Sequence, residues 1–527
     1  MSGSHGAALV VALGIAAGSF WLFTRNDDFP VSYHPDEAGK AAQLLSPDQQ
    51  RNFRHPLLLL EAADWMRRGS GAGMDERGVA VAGRRASAAL AATGVFALAL
   101  AGWIAAGVPG LLLGALSMAL CPTLLVHAHY FKEDTALLAG IMVAILGARL
   151  LLSARSPWAQ AMAAAVLGIG CGAAISGKLV GLLTLLPSLV VLGIARGRSR
   201  WAAAARAIAF LLAGAAVVRL ANFRAFADWP SPWLLPDAWV RMRAEFGHGL
   251  TGHLALALPR PNLFCLETAA RELMPDTWAF LGLGAVWLIA RRTISRWGIS
   301  LATFLATFAV ALSFDPIPFS RYSLPITVCA YFVAAMLAAG LVGDPAWPAR
   351  QRTLGLIAAL AAIVGFQGPR CWRFDQQFRD DSRQRLREFV ATRLPARAHV
   401  AADSYTGLGD AGDPWRFPGQ SALTQEVRVS LIIADEGPLE RLADGDVEYV
   451  AVAEPAYARF FVPGIQAVGR PPEWLAERQR FYRDLFARGE LVWSSAPDPP
   501  THSYVDMELR LYRISQLAAR SEEASTP

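Results

Sequence analysis

Charge is scarce in this sequence. Asp, Glu, Lys and Arg make up 17% of its 527 residues, against 54% hydrophobic residues, and the mean hydropathy is +0.33. So little charge excludes a disordered, solvated chain and an ordinary soluble globular one. Cysteine is scarcer still: there are five, an odd count, with no CxxC and no Cys/His metal spacing, so no cysteine-based metal module is read from them. Cys121, Cys171 and Cys329 lie inside apolar runs and read as small hydrophobes, which leaves Cys265 and Cys371 as the two that could meet outside a bilayer. Internal repeats and low-complexity segments are also lacking. The basic excess is small, at +6, and Lys and Arg sit in short clusters between apolar runs, where they encode topology. No nucleic-acid partner is expected from that pattern.

What the sequence does have is long apolar runs. They fall near 5–23, 84–106, 109–127, 134–153, 159–176, 178–195, 201–221, 278–291, 297–313, 323–342 and 353–367, and at about 20 residues per helical span they make eleven candidate transmembrane helices. The first has no basic n-region and no small-residue cleavage site before Arg25-Asn26-Asp27-Asp28, so it reads as an uncleaved span. Basic clusters at 149–158, 195–201, 290–297 and 348–352 all follow even-numbered runs. Short basic loops mark the cytoplasmic side. The N-terminus is therefore expected in the cytoplasm, and the loops after odd-numbered runs outside the inner (plasma) membrane. From about residue 368 the texture changes to charge, Pro and Gly scattered among amphipathic segments. Strands are expected at 396–404, 447–454, 490–495 and 508–514, and helices at 430–443 and 471–489. The expected fold is an α-helical polytopic membrane protein with a small C-terminal α/β extracytoplasmic domain. The membrane part is 1–367 with external loops 24–83 and 222–277, the soluble domain is 368–515, and 516–527 is a disordered tail.

Four polar features lie at the outer ends of spans: Asp36-Glu37 in VSYHPDEAGK, Glu133-Asp134 in HYFKEDTALLAG, Lys178 in AISGKLVGLL, and Arg321-Tyr322 in FDPIPFSRYSLP. Ionisable residues near membrane depth are functional-site candidates, with interfacial anchoring as the competing explanation. Either acidic pair could equally serve a helix N-terminus. A helix cap accounts for one carboxylate of the first pair, not both. Arg84 and Arg85 lie at the outer end of the second run, against the positive-inside tendency. Two carboxylate pairs and several cations on one side suit group transfer from a phosphate leaving group. A carboxylate takes the proton of an incoming hydroxyl while Lys or Arg holds the departing phosphate. The aromatic stretch 226–239 offers either sugar-stacking surfaces or an interfacial helix.

At these residues the chain resembles the integral-membrane glycosyltransferases of the C superfamily (GT-C). Within it, the resemblance is to glycosyltransferase family 39, the protein O-mannosyltransferase and aminoarabinose transferase group. The matching segments are HPDEAGKA (34–41), FRHPLLLL (53–60), KED (132–134), GIGCGAAISGK (168–178) and SRYSLP (320–325), in family order across roughly residues 1–345. The resemblance implies inverting transfer of a sugar from a polyprenyl-phosphate carrier to a hydroxyl acceptor at the outer membrane face. Asp36 would be the general base, Glu37 would shape the site, and Asp134 would orient acceptor or base. Lys178 and Arg321, with Tyr322, Arg84, Arg85, Lys132 and Glu133, would surround the lipid phosphate and sugar, with His55, His248 and His253 as weaker candidates. The resemblance implies no cofactor and no metal, although Asp36, Glu37 and Asp134 could coordinate a divalent ion through oxygen. The chain departs from the family pattern in having His-Pro-Leu for the commoner His-Pro-Pro, and no large sugar-binding insertion interrupts 222–277, which argues against the eukaryotic protein mannosyltransferase type. External carboxylates and cations in a polytopic bundle also fit a transporter or flippase for a lipid-linked or anionic solute, but the chain lacks paired halves and matched Gly/Pro-interrupted spans.

Overall fold

The computed structural model describes residues 2–46, 51–195, 199–226, 237–292, 294–409, 422–496 and 504–516. Its N-terminal part is built mainly of helices, since in a membrane each helix satisfies its own backbone polar groups. The helices are α1 (Ser2–Phe23), α2 (Glu37–Leu45), α3 (Leu58–Ser70), α4 (Glu76–Ala119), α5 (Pro122–Ala128), α6 (Asp134–Ser153), α7 (Pro157–Gly177), α8 (Leu185–Ile194), α9 (Arg200–Ala221) and α10 (Asp237–Thr251). They continue with α11 (Phe264–Glu272), α12 (Pro275–Arg291), α13 (Arg296–Leu312), α14 (Leu324–Val342), α15 (Ala349–Gln377) and α16 (Ser382–Arg393).

Among the described residues, seven helices are long and apolar enough to cross a membrane, or eight if the α11–α12 pair, bent by 104°, counts as one span. The eleven apolar runs are thus not eleven long straight helices. The runs 84–106 and 109–127 meet in α4, which breaks at Ala106 and at Gly107, whose φ of 62° is a left-handed conformation open to glycine. The second of these runs is cut again before Pro122, where α5 begins. The runs 178–195 and 297–313 lie on shorter apolar helices. The break at Gly107 falls between the first two of these runs, whereas Pro122 interrupts a single run. The boundary expected at 367–368 falls inside α15, which runs on to Gln377.

Helices α6 and α7 pack backbone to backbone, because the Gly-rich run on α7 and Gly140 on α6 leave no side chains between them. A Cβ on Gly140 would lie 2.1 Å from the Ala174 nitrogen, and one on Gly177 would lie 2.4 Å from the Leu137 nitrogen. That contact brings the end of α7 against the start of α6. Lys178 follows the one and Asp134 opens the other.

After α16 the chain forms a five-stranded sheet. Its strands are β2 (His399–Asp403), β3 (Glu426–Ser430), β4 (Tyr449–Ala453), β6 (Glu490–Ser495) and β7 (Leu509–Arg513), while β1 (Leu256–Ala257) and β5 (Gln466–Ala467) form a separate two-stranded pair. The order is β3-β2-β4-β7-β6, with β2 parallel to β3 and β4, and β7 antiparallel to β4 and β6. Along β4 the side chains alternate between two buried clusters. Val450 and Val452 pack with Tyr482 and Leu485 of α18 (Pro472–Arg488), and Tyr449 and Ala451 pack with Leu386 and Val390 of α16. Both faces are covered, so β4 is apolar from end to end. The sequence reading missed β3 and placed one helix over 430–443. That stretch is a 3-10 turn, Ile433–Glu436, a break at Gly437 with φ 123°, and α17 (Leu439–Asp444). Gly437-Pro438 ends the helical continuity. The expected disordered tail lies almost wholly outside the described residues, as does most of the aromatic stretch 226–239.

The two parts are sewn together. Within the long 222–277 loop, β1 pairs antiparallel with β5 of the C-terminal part, Leu256 opposite Ala467. All five cysteines are free and buried. Cys265 and Cys371 do not pair; the Cys371 thiol instead donates to the Leu120 carbonyl at 3.0 Å.

Candidate active site

A cavity of about 520 Å³ opens at the end of the helical bundle where α6 and α14 begin and α7 ends. Its charged and polar lining comes from the α2 entrance (Asp36), the 51–57 segment (Arg54, His55), the turn before α6 (Lys132), and α6 itself (Asp134). Lys178 after α7, Glu245 on α10, His253, Asp315, and Arg321 with Tyr322 before α14 complete it. Residues from distant parts of the chain meet here because they sit at helix ends on one face of the bundle.

Asp36 precedes the first turn of α2, yet its side chain makes no cap hydrogen bond. Its carboxylate instead pairs with Lys132 Nζ and is 37% exposed, whereas Lys132 is 3% exposed. Behind the pair runs a ladder of alternating charge: Lys132 lies 3.2 Å from Glu133, and Glu133 lies 2.6 Å from Lys40. Burial pushes the Asp36 carboxyl upward, but the surrounding cations, Lys132 first, outweigh it and hold the group well below the usual carboxylate range. Asp36 is therefore ionised. Its backbone N–H donates to His34 Nδ1 at 3.2 Å, so that nitrogen carries a lone pair. Burial holds His34 well below the ordinary imidazole value, and the 4.0 Å approach of His34 to the Asp36 carboxylate is accordingly not an ion pair.

Lys178 Nζ donates to Asp134 Oδ1 at 2.8 Å and lies 4.7 Å from the Tyr322 ring centre. Asp134 Oδ2 is buried with no hydrogen-bond partner among the described residues. Lys132 and Lys178 each pair with a carboxylate, whereas the Arg321 guanidinium lies 4.7 Å from the Phe319 ring centre and 5.7 Å from that of Tyr322, and its buried Nε has no hydrogen-bond partner among the described residues. Such a fork, fixed by aromatic rings, suits a phosphate. Burial lowers both His55 and His253 to about 4, so both are neutral.

Several expected site residues lie elsewhere. Glu37 is fully buried and points away from the cavity, accepting from Arg84 Nε at 3.0 Å, from Arg84 Nη2 at 2.5 Å and from the Phe131 N–H at 2.8 Å. Arg84 spends its remaining N–H groups on the carbonyls of Asp27, Phe29 and Pro30. It has none left for a lipid phosphate, which corrects that expectation. Arg85 pairs with Asp27 at 2.9 Å and does not line the cavity. Glu133 is taken up by Lys132 and Lys40 and does not line the cavity. The side chain of His248 is outside the described residues. In the other direction, the sequence reading did not single out Arg54, Glu245 or Asp315. Arg54 adjoins His55 within FRHPLLLL and Asp315 lies in FDPIPFSRYSLP, so a signal was present for both; Glu245 is a lone acid that nothing in the sequence distinguished. Asp36, Glu37 and Asp134 do not converge on one point, and among the described residues no group of three or more His, Cys, Asp or Glu side chains is placed to hold a metal ion.

Helices long and apolar enough to cross a membrane, a C-terminal sheet-containing domain and a cavity at one end of the bundle give the architecture of a polytopic α-helical membrane protein. No protein-family model and no curated protein sequence matches the chain. Among solved structures it is similar to ArnT from Cupriavidus metallidurans in the apo state, at 13% identity and a TM-score of 0.50, over 97% of this chain and 99% of that one. ArnT from the same organism bound to undecaprenyl phosphate matches at 12% identity and a TM-score of 0.50, over 95% and 97%. The apo oligosaccharyltransferase of Archaeoglobus fulgidus matches at 11% identity and a TM-score of 0.49, over 90% and 72%. At these identities the likeness is one of fold. It spans the C-terminal domain as well as the helices.

Proposed function

We propose that this protein is a membrane glycosyltransferase that moves a sugar from a polyprenyl-phosphate carrier to a hydroxyl acceptor, with inversion, at the outer face of the membrane. The observation that carries the reading is the cavity itself: an ionised, partly open carboxylate, Asp36, shares it with Arg321, whose buried Nε has no hydrogen-bond partner among the described residues, and with Lys178. The full-length fold likeness to a protein solved with undecaprenyl phosphate bound supports a donor of that class.

In the proposed reaction the acceptor oxygen attacks the anomeric carbon and its proton passes to Asp36. The bond from that carbon to the phosphate oxygen breaks, and its electron pair leaves on the phosphate. Lys178 and Arg321 neutralise the charge that builds there, which is where fixed cations lower a barrier most. The unpartnered Asp134 Oδ2 accepts from an acceptor or sugar hydroxyl. Arg54 adds a further cation to the mouth. Asp36 then sheds its proton through its exposed edge.

Two tests address this assignment. Arg321→Ala should weaken binding of the polyprenyl-phosphate sugar by about 10- to 100-fold, the value of a charge-assisted hydrogen-bonded contact, read as a rise in donor KM or as lost binding of the carrier phosphate. Unaltered donor affinity would remove Arg321 from the phosphate site. Lys132→Gln removes the main force holding the Asp36 pKa down, so the Asp36 pKa must rise. A carboxylate base works only above its pKa, and the acid limb of the kcat/KM–pH profile should therefore move to higher pH. A shift to lower pH, or none, would show that Asp36 does not govern that limb.

A further inference from the structure

We infer that His34 is a positioning residue for Asp36 and that the C-terminal domain holds it in place, so that the reactive carboxylate is set jointly by the two parts of the molecule. This rests on the assignment of Asp36 as the base.

The membrane part supplies only one side of the support. His34 is 1% exposed, and its ring lies 4.9 Å from that of Tyr130 in the bundle. The other side is Tyr504, which meets His34 edge to face at 5.0 Å and itself stacks on Tyr405 at 5.5 Å. Tyr405 follows β2 and Tyr504 precedes β7, so the backing of His34 is the C-terminal sheet's own loops.

One residue earlier the grip is tighter. Arg383 on α16 is buried and donates to the Tyr33 carbonyl at 3.3 Å and to the Tyr504 carbonyl at 2.5 Å. Its guanidinium lies 4.2 Å from the Tyr33 ring centre, and it is oriented by Asp381 through bonds of 2.7 and 2.9 Å. Gln384 donates to the Tyr33 hydroxyl at 2.7 Å. Arg383 thus ties the backbone of the base-bearing loop to the backbone of the Tyr504 loop. His34 passes that constraint on through the single bond in which its Nδ1 accepts the Asp36 N–H. Burial keeps the imidazole neutral, as the bond requires. Glu37, the next residue, is anchored separately through Arg84 and Phe131, so Asp36 is fixed from both sides while its own carboxylate, paired with Lys132, faces the cavity.

Tyr504 and His34 are the variants to test, since Arg383 carries a buried ion pair whose loss threatens the fold. In the full chain, His34→Ala and Tyr504→Ala should lower kcat by roughly 10- to 100-fold, the range for a misplaced reacting group, with donor KM within about twofold of wild type, as for a group that positions without binding. Asn places an acceptor oxygen close to the Nδ1 position and Phe keeps the ring edge, so His34→Asn and Tyr504→Phe should restore most of the rate. Amide hydrogen exchange over 31–45, which needs no turnover, should speed up in both alanine variants. Unchanged exchange overturns the positioning, as does His34→Asn no more active than His34→Ala. Faster exchange in a protein whose wild type transfers no sugar leaves the positioning standing and overturns the glycosyl-transfer reading.

Discussion

Asp36→Asn is expected to lower sugar transfer by about 10³-fold, within the 10²- to 10⁴-fold range for loss of a general base, while leaving the fold and donor binding intact. The fold should survive because the carboxylate caps no helix and Lys132 keeps Glu133 as a partner at 3.2 Å. Donor binding should survive because the phosphate is assigned to Lys178 and Arg321. Transfer from a synthetic polyprenyl-phosphate sugar, measured beside binding of the same donor, separates the two. Equal turnover in the variant sinks the assignment of Asp36. Movement of a solute or lipid across vesicles without transfer would favour a transporter instead.

The second large effect concerns stability. Arg84→Met should destabilise the protein by about 3–5 kcal/mol, the cost of leaving one partner of a buried ion pair uncompensated. Arg84 is 1% exposed and Glu37 0%, so water cannot replace the lost guanidinium. The three backbone carbonyls of Asp27, Phe29 and Pro30 lose their donor in the same step. The measurement is the thermal unfolding midpoint in detergent. Adding Glu37→Gln should recover part of the loss, because the neutral amide no longer needs a countercharge. A midpoint within the error of wild type would mean that the ion pair does not hold the loop. The contrast with Asp36→Asn is the informative part: neighbouring carboxylates, one expected to cost rate and the other stability.

Much of the architecture was legible from the residues. Apolar runs mark membrane helices because a backbone in hydrocarbon has no alternative partner for its polar groups, and the strands around 399–403 and 449–453 were evident from short apolar segments. The helix count was not, because hydropathy is blind to backbone geometry: the break at Gly107 falls between two of the runs, but Pro122 divides a run that a sliding average joins. In the site, Lys178 and Asp134 were visible as charges out of place. Arg84 looked equally out of place and proved to be internal scaffolding. A charge at a span end announces that it has a partner, not whether that partner is a ligand or the protein itself.

The acidic pair shows where the division lies. Residue order alone put Asp36 and Glu37 beside a membrane span and offered a helix entrance there as one reading. It could not say which of the two would face the cavity. That was decided by where the chain's distant parts come to rest: Arg84 and the Phe131 N–H on one side of α2, and Lys132 on the other. Folding closed the first environment around Glu37 and left the second partly open around Asp36. Identical chemistry thereby acquired two different surroundings, and a carboxylate's reactivity is a property of its surroundings.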